Sequence, residues 1–269
     1  MFKPMFMLFK LLIVTLLISG QAYSVQSNDV TAKEKGLRIA KKAKKLDSGW
    51  GDSQSEVEMI LRNKHGQESR RAIRSKNLEL KDEGDKSLII FDEPRDVKGT
   101  AFLNYSNPIE PDDQWLYLPA LKRIKRISSR NKSGPFMGSE FSYEDMSPFE
   151  VEKYTYKYLR DETAEGRECF VLEYYPVDKY SGYPRQVVWL DKEMYQPIKT
   201  EYYDRKDSLL KTLKITDYKQ YQGRFWRADK LEMTNHLNGK STVLLMANYR
   251  FSTGLDEQDF SQNTLKRLR

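Results

Sequence analysis

The chain has 269 residues, a formal net charge of +7 from 46 Lys and Arg against 39 Asp and Glu, and one cysteine. A lone cysteine closes no intramolecular disulfide, and 17 Tyr, 12 Phe and 4 Trp supply core enough without one, beneath a surface drawn from the 32% charged residues. HExxH, CxxC, G-x-S-x-G and P-loop patterns are all missing, which removes the enzyme classes that advertise themselves by short motifs.

The chain begins like an export signal. Met1–Lys10 carries two lysines and no acid, Leu11–Ser19 is a short apolar run, and Ala22-Tyr23-Ser24 places small residues at the −3 and −1 positions of a cleavage site. A membrane anchor needs about 20 apolar residues. Met5–Gly20 offers 16, interrupted by Lys10. Cleavage after Ser24 is therefore predicted, leaving one domain of 245 residues, 25–269, with 44 basic and 39 acidic side chains. No cysteine stands near the cleavage point, so no lipid anchor is expected and the product should be soluble outside the cytoplasm. For an exported chain, excess positive charge points to anionic membrane headgroups or an acidic partner, not to nucleic acid.

From Asp29 to Leu46 the pattern is helical: Ala32, Gly36, Ile39, Ala43 and Leu46 gather on one face. Ser48-Gly49-Trp50-Gly51-Asp52 stops it. Period two then takes over. Strands are predicted around Val57 and Met59, then at 72–80, 88–91, 100–105, 114–118, 151–159, 168–175, 186–190, 198–203, 209–215, 230–237 and 242–251, mostly separated by Gly, Pro or Asn/Asp clusters. Tyr154, Tyr156 and Tyr158 share one face, and Cys169 sits in an apolar strand as a core residue. About a dozen strands in hairpin succession make one large antiparallel sheet, which must curl. The expected fold is mainly β (α+β): an incompletely closed barrel whose opening is covered by the N-terminal helix and the irregular segment 133–149.

The most distinctive residues lie between Asp96 and Tyr158. They include Asp96-Val97-Lys98-Gly99-Thr100-Ala101-Phe102-Leu103, Asp113-Gln114-Trp115-Leu116-Tyr117-Leu118-Pro119-Ala120-Leu121-Lys122-Arg123 and Lys132-Ser133-Gly134-Pro135-Phe136-Met137-Gly138-Ser139-Glu140-Phe141, followed by Tyr143-Glu144-Asp145. These phrases, and the closing Leu255–Ser261, resemble the outer-membrane lipoprotein-sorting family, the LolA-like periplasmic carriers, in the branch found beside RND or MMPL-type exporters. The resemblance covers essentially the whole chain after the signal. It implies a half-open β-barrel with a hydrophobic cavity for acyl chains, a lipid or lipoprotein cargo, an inner-membrane exporter as donor, an outer-membrane acceptor, no cofactor and no catalysis.

The residues expected to line that cavity are Met59, Leu88, Ile90, Phe102, Trp115, Tyr117, Phe136, Met137, Phe141, Phe170, Leu172 and Val188. Aromatic and Met side chains suit a flexible chain, though they serve equally as ordinary core under a long loop. Lys122, Arg123, Lys125, Arg126, Arg130 and Lys132 form a basic run with no acid between 122 and 139, expected to touch a membrane or partner; the plain alternative is a solvated hairpin. Neither His65, in a turn, nor His236, at a strand end, has an evident catalytic partner, and no Cys/His or clustered-carboxylate pattern points to a metal. The acidic pairs Asp112-Asp113 and Glu144-Asp145 leave a carboxylate hydrolase as the last of three readings, after a shuttle and a non-carrying exporter subunit.

Overall fold

The structure, a computed structural model, describes Met1, residues 17–81 and residues 83–267. The rest of the charged start and most of the apolar run expected to form an export signal lie outside the described residues. Among the described residues no helix is long and apolar enough to cross a membrane.

Among the described residues thirteen strands form one antiparallel sheet: β1 (Asp52–Arg62), β2 (Glu68–Leu78), β3 (Lys86–Glu93), β4 (Ala101–Tyr105), β5 (Asp113–Leu118), β6 (Arg123–Ile127), β7 (Tyr154–Ala164), β8 (Arg167–Pro176), β9 (Arg185–Asp191), β10 (Pro197–Tyr203), β11 (Leu209–Tyr221), β12 (Phe225–Asn235) and β13 (Ser241–Phe251). Every neighbour is a hairpin partner except at one seam, where β1 pairs with β13. The chain thus fans out on both sides of that seam and leaves β6 and β7 as free edges. These two strands are consecutive in sequence, so the 128–153 segment must span the opening between them. One apolar cluster gathers Val57, Ile73, Phe91 and Phe102 from one side and Leu213, Ile215, Met233 and Leu244 from the other, which only a curled sheet allows.

The predicted strands are all present, and β6 is an addition. Its Arg123-Ile124-Lys125-Arg126-Ile127 sequence reads as a charge run, yet as a free edge it is the kind of strand that Lys and Arg protect from further pairing. β11 and β12 also run further than predicted, to Tyr221 and from Phe225.

Helix α1 spans Leu17–Leu46, beginning before the expected Asp29. Its buried face carries Gly36, Ile39 and Ala40, with Ala43 beside them, against Tyr156, Leu172, Tyr174, Val188 and Leu190. Gly36 permits a close approach: a Cβ there would lie 3.0 Å from the Tyr158 backbone nitrogen, tighter than ordinary contact, so the helix rests directly on edge strand β7. Leu46, expected on this face, is 43% exposed because the helix ends beyond the sheet contact. The outer face of β2–β5 is covered from the other end of the chain, by a 3-10 turn (Glu257–Phe260) and the short α2 (Gln262–Leu265), whose Phe260 and Leu265 are fully buried.

Candidate functional site

The concave face changes character along its strands. Inward-facing residues of β1 run Ser53, Ser55, Val57, Met59, and the register matches them with Asn77, Ser75, Ile73 and Arg71 of β2. β3 continues the rows with Ser87, Ile89 and Phe91, β4 with Asn104 and Phe102, and β5 with Gln114 and Leu116. One half of the bowl is therefore apolar and the other is built of small hydroxyls and amides.

The apolar half is filled. The 128–153 segment turns inward and seats Phe136 and Phe141, both essentially inaccessible, against Phe91, Phe102 and Tyr143; Phe136 meets Phe102 at 5.2 Å and Tyr143 at 5.5 Å between ring centroids. Arg71 donates to the Met137 carbonyl at 2.6 Å and holds the tip of this plug, where Met137 takes a left-handed φ of 50°. Asp145 accepts from the Ser142 amide (2.7 Å), the Ser142 hydroxyl (2.8 Å) and the Tyr183 hydroxyl (2.9 Å), while Glu144 accepts from Ser181 Oγ and the Gly182 amide, each at 2.8 Å. Burial raises both carboxyls above their ordinary range, partly offset at Asp145 by Lys211 and at Glu144 by these donors. The two carboxylates thus anchor a loop through separate partners, and the charge of Asp145 adds to the upward push on Glu144.

The polar half is open. A cavity of about 560 Å³ lies between α1 (Ala43, Lys44, Asp47), the polar row, the Tyr154–Tyr174–Val188–Leu190 wall, and a strap formed by residues 145–149. A second cavity of about 520 Å³ lies across the strap, with Ile109, Lys132, Val177 and Tyr180 in its walls. The two share Asp145, Ser147, Pro148, Phe149, Tyr154, Gln186 and Tyr202. The strap is thus the partition, and Phe149, stacked on Tyr154 at 5.8 Å, is its aromatic bolt.

Lys44 clamps this bolt. Its ammonium donates to the Phe149 carbonyl at 3.0 Å and pairs with Glu150 at 3.2 Å and Asp85 at 3.6 Å, tying α1, the strap and the start of β3 together. Burial opposes the charge on Lys44, but the two carboxylates outweigh it and raise its pKa. Burial pushes the Asp85 carboxyl up to about 6 despite the pull of Lys44. Below the clamp, Asn104 Oδ1 accepts from Gln114 (3.0 Å) and Ser147 (3.2 Å), joining the strap to the polar row. Two buried atoms of that row, Ser87 Oγ and Asn104 Nδ2, have no hydrogen-bond partner among the described residues.

The twelve residues expected to line a cavity fall in three places. Met59, Phe102, Phe136, Met137 and Phe141 form or border the packed plug. Phe170, Leu172 and Val188 belong to the cluster under α1, and of the twelve Val188 alone lines the larger cavity. Leu88, Ile90, Trp115 and Tyr117 lie on the opposite, outer face under the C-terminal segment, a correction to their expected inward aspect. In strands buried on both faces hydrophobicity does not tell one face from the other, so the inward residue of Leu88-Ile89-Ile90-Phe91 cannot be chosen by apolarity. The polar row was not anticipated, although the Ser-x-Ser-x-Val-x-Met alternation of β1 marks it.

Of the basic run, Lys122, Arg123 and Lys125 are exposed along the β6 edge. The other three are engaged: Arg126 with Asp113, Arg130 over the Tyr180 ring, and Lys132 with Asp178 at 2.6 Å beside the second cavity. Cys169 is buried and burial pushes its thiol up to about 11, which keeps it protonated. His65 lies exposed in its turn, and His236 meets Thr212 Oγ1 at 2.8 Å. Among the described residues no three His, Cys, Asp or Glu side chains are grouped to hold a metal ion.

Comparison with known proteins gives concordant matches. A family model described as "Uncharacterized protein" matches residues 83–267. A protein domain from Vibrio parahaemolyticus assigned to outer membrane lipoprotein sorting is 61% identical, with a TM-score of 0.86 over 87% of this chain and 100% of that one. A DUF1329 family protein from Desulfovibrio piger is 31% identical over 87% of this chain and 99% of its own, with a TM-score of 0.82. A LolA superfamily protein from Nitrosomonas europaea, 21% identical over 85% and 98% of the two chains with a TM-score of 0.68, shares the fold. No curated protein matches the chain.

Proposed function

The chain belongs to the outer membrane lipoprotein-sorting, DUF1329 family of LolA-like proteins, and on that premise we propose that it is a periplasmic carrier for an apolar chain, exported by a signal cleaved after Ser24. The observation that carries this reading is the cavity of about 560 Å³, within the roughly 300–1,000 Å³ of small-ligand sites. Its aromatic and aliphatic wall favours an acyl chain by about 0.8 kcal/mol per buried methylene. The strap and its Lys44 clamp serve as the gate between the inner and outer chambers. The donor is an inner-membrane exporter of the RND or MMPL type and the acceptor lies at the outer membrane, with Lys122, Arg123 and Lys125 giving a transient hold on anionic headgroups. A non-carrying exporter subunit would need no chamber, and the open half of the bowl speaks against that alternative. No step in this cycle requires catalysis or a cofactor.

Lipid extraction and native mass spectrometry of protein purified from its own envelope test the reading. A co-purifying apolar molecule in near one-to-one amount is expected. A bare protein that also fails to take up N-phenyl-1-naphthylamine would overturn it.

A further inference from the structure

The cavity is two-faced, and this bears on what the cargo carries at its head. Opposite the Tyr154–Leu190 wall, three successive strands present Ser53, Ser55, Ser75, Asn77 and Ser87 to the same space. A pocket for bare hydrocarbon gains nothing from such a lining, because every hydroxyl taken out of water without a partner costs free energy. Ser87 is 4% exposed and its Oγ has no partner; Asn104, its register neighbour on β4, is fully buried with an idle Nδ2. Ser87 lines the cavity, and its unused hydroxyl fits an incoming carbonyl or hydroxyl oxygen.

The charges in the same walls are already matched. Lys44 pairs with Asp85 and Glu150, Asp47 with Arg227 at 2.6 Å, and Lys86 with Glu257, while Asp145 is satisfied by Ser142 and Tyr183. Among the described residues of these walls, a phosphate or free carboxylate would find each cation already paired, and an amine would find each carboxylate already engaged. We propose that the cargo is a neutral amphiphile, a glyceride or similar acyl ester, whose hydroxyl and carbonyl oxygens hydrogen-bond the Ser53–Ser75–Ser87 wall while its chain lies against Tyr154, Val188 and Leu190. This rests on the carrier reading and adds to it the chemistry of the head.

The test is displacement of N-phenyl-1-naphthylamine from the purified protein by monoolein, oleate and 1-octadecene, each delivered from cyclodextrin. Monoolein is expected to compete at a concentration at least about tenfold below the other two, the margin that one or two hydrogen bonds supply. Ser87→Ala should narrow that margin by about threefold or more, and Ser53→Val with Ser75→Val and Ser87→Val should reverse it in favour of 1-octadecene. Should the triple variant not fold, the wild-type ranking and Ser87→Ala decide. Equal competition by oleate or 1-octadecene while the probe still binds would sink the neutral-head proposal and leave the carrier standing. A probe that never binds would remove both.

Discussion

The two halves of the bowl are made by the same strands and face the same inserted segment, yet one is solid and the other hollow. In the solid half Val57, Ile73, Phe91 and Phe102 meet Phe136 and Phe141, so that apolar sheet and apolar plug exclude each other's water. In the hollow half β1–β3 offer Ser53, Ser55, Ser75, Asn77 and Ser87, with Val57, Leu213 and Ile215 at the border between the halves, and the segment crosses as a thin strap of Ser147, Pro148 and Phe149. Small polar side chains leave volume unfilled, and hydrogen bonds across the strap hold that volume open. Buried apolar packing is concentrated at one end of the fold, and small polar side chains line the cavity at the other.

The solid half depends most on Phe136, which has no exposed surface and touches Phe91, Phe102 and Tyr143. Phe136→Ala is expected to cost about 3–5 kcal/mol in urea unfolding, the usual range for a large core truncation. A loss below about 1 kcal/mol would mean the plug is not core. Lys44→Ala comes next. It removes the donor to the Phe149 carbonyl and strands Glu150 and Asp85 without their cation. A destabilisation of about 2 kcal/mol follows from the unpaired buried carboxylates, and release of bound N-phenyl-1-naphthylamine in stopped flow should quicken severalfold. Unchanged release would take the gate away from the strap.

How much of this was legible depended on whether each signal was local. The hairpin succession was, because alternation and turn residues lie within a few positions of each other; β6 escaped because Arg123, Lys125 and Arg126 mask Ile124 and Ile127. The facing of Leu88-Ile89-Ile90-Phe91 was not legible, since both faces of β3 are buried and only the C-terminal Phe260 and Leu265 reveal which is outer. The polar row was written in β1 as Ser53, Ser55, Val57, Met59, but Ser and Asn in single strands read as turn-prone residues until register aligns them across five strands. Lys44, Asp85 and Glu150 are too far apart in sequence for any local pattern to join them.

Asp85 gives a subtler contrast, through pH. Its folded-state pKa of about 6 stands above the ordinary 3.8, so the folded protein binds this proton more tightly than the unfolded chain. The burden of the charged form is fully present above pH 6 and is relieved as pH falls toward 4. Asp85→Asn should therefore be more stable than wild type by about 2 kcal/mol at pH 7.5, with the advantage shrinking to less than half at pH 4.5. Taking the difference between the two proteins cancels the acids whose pKa values are lowered, such as Asp52 and Asp178, which act in the opposite sense. A difference that does not vary with pH would show that Asp85 is not desolvated in solution.

The smallest effect belongs to the polar row itself. Ser87 Oγ is buried without a partner, so its removal forfeits no hydrogen bond and relieves a desolvated hydroxyl. Ser87→Ala should leave stability within about 0.5 kcal/mol of wild type or raise it slightly, although the position is as buried as many in the plug. Burial alone would predict a cost at both ends of the bowl; a cost at Phe136 with none at Ser87 would follow only if the second residue is held for something other than the fold. The measurement is a pair of urea curves in ligand-free protein, because bound cargo would add its own stabilisation and hide the difference. A loss above about 1 kcal/mol at Ser87 would make the row structural, and the hollow half would then be a packing fault and not a site.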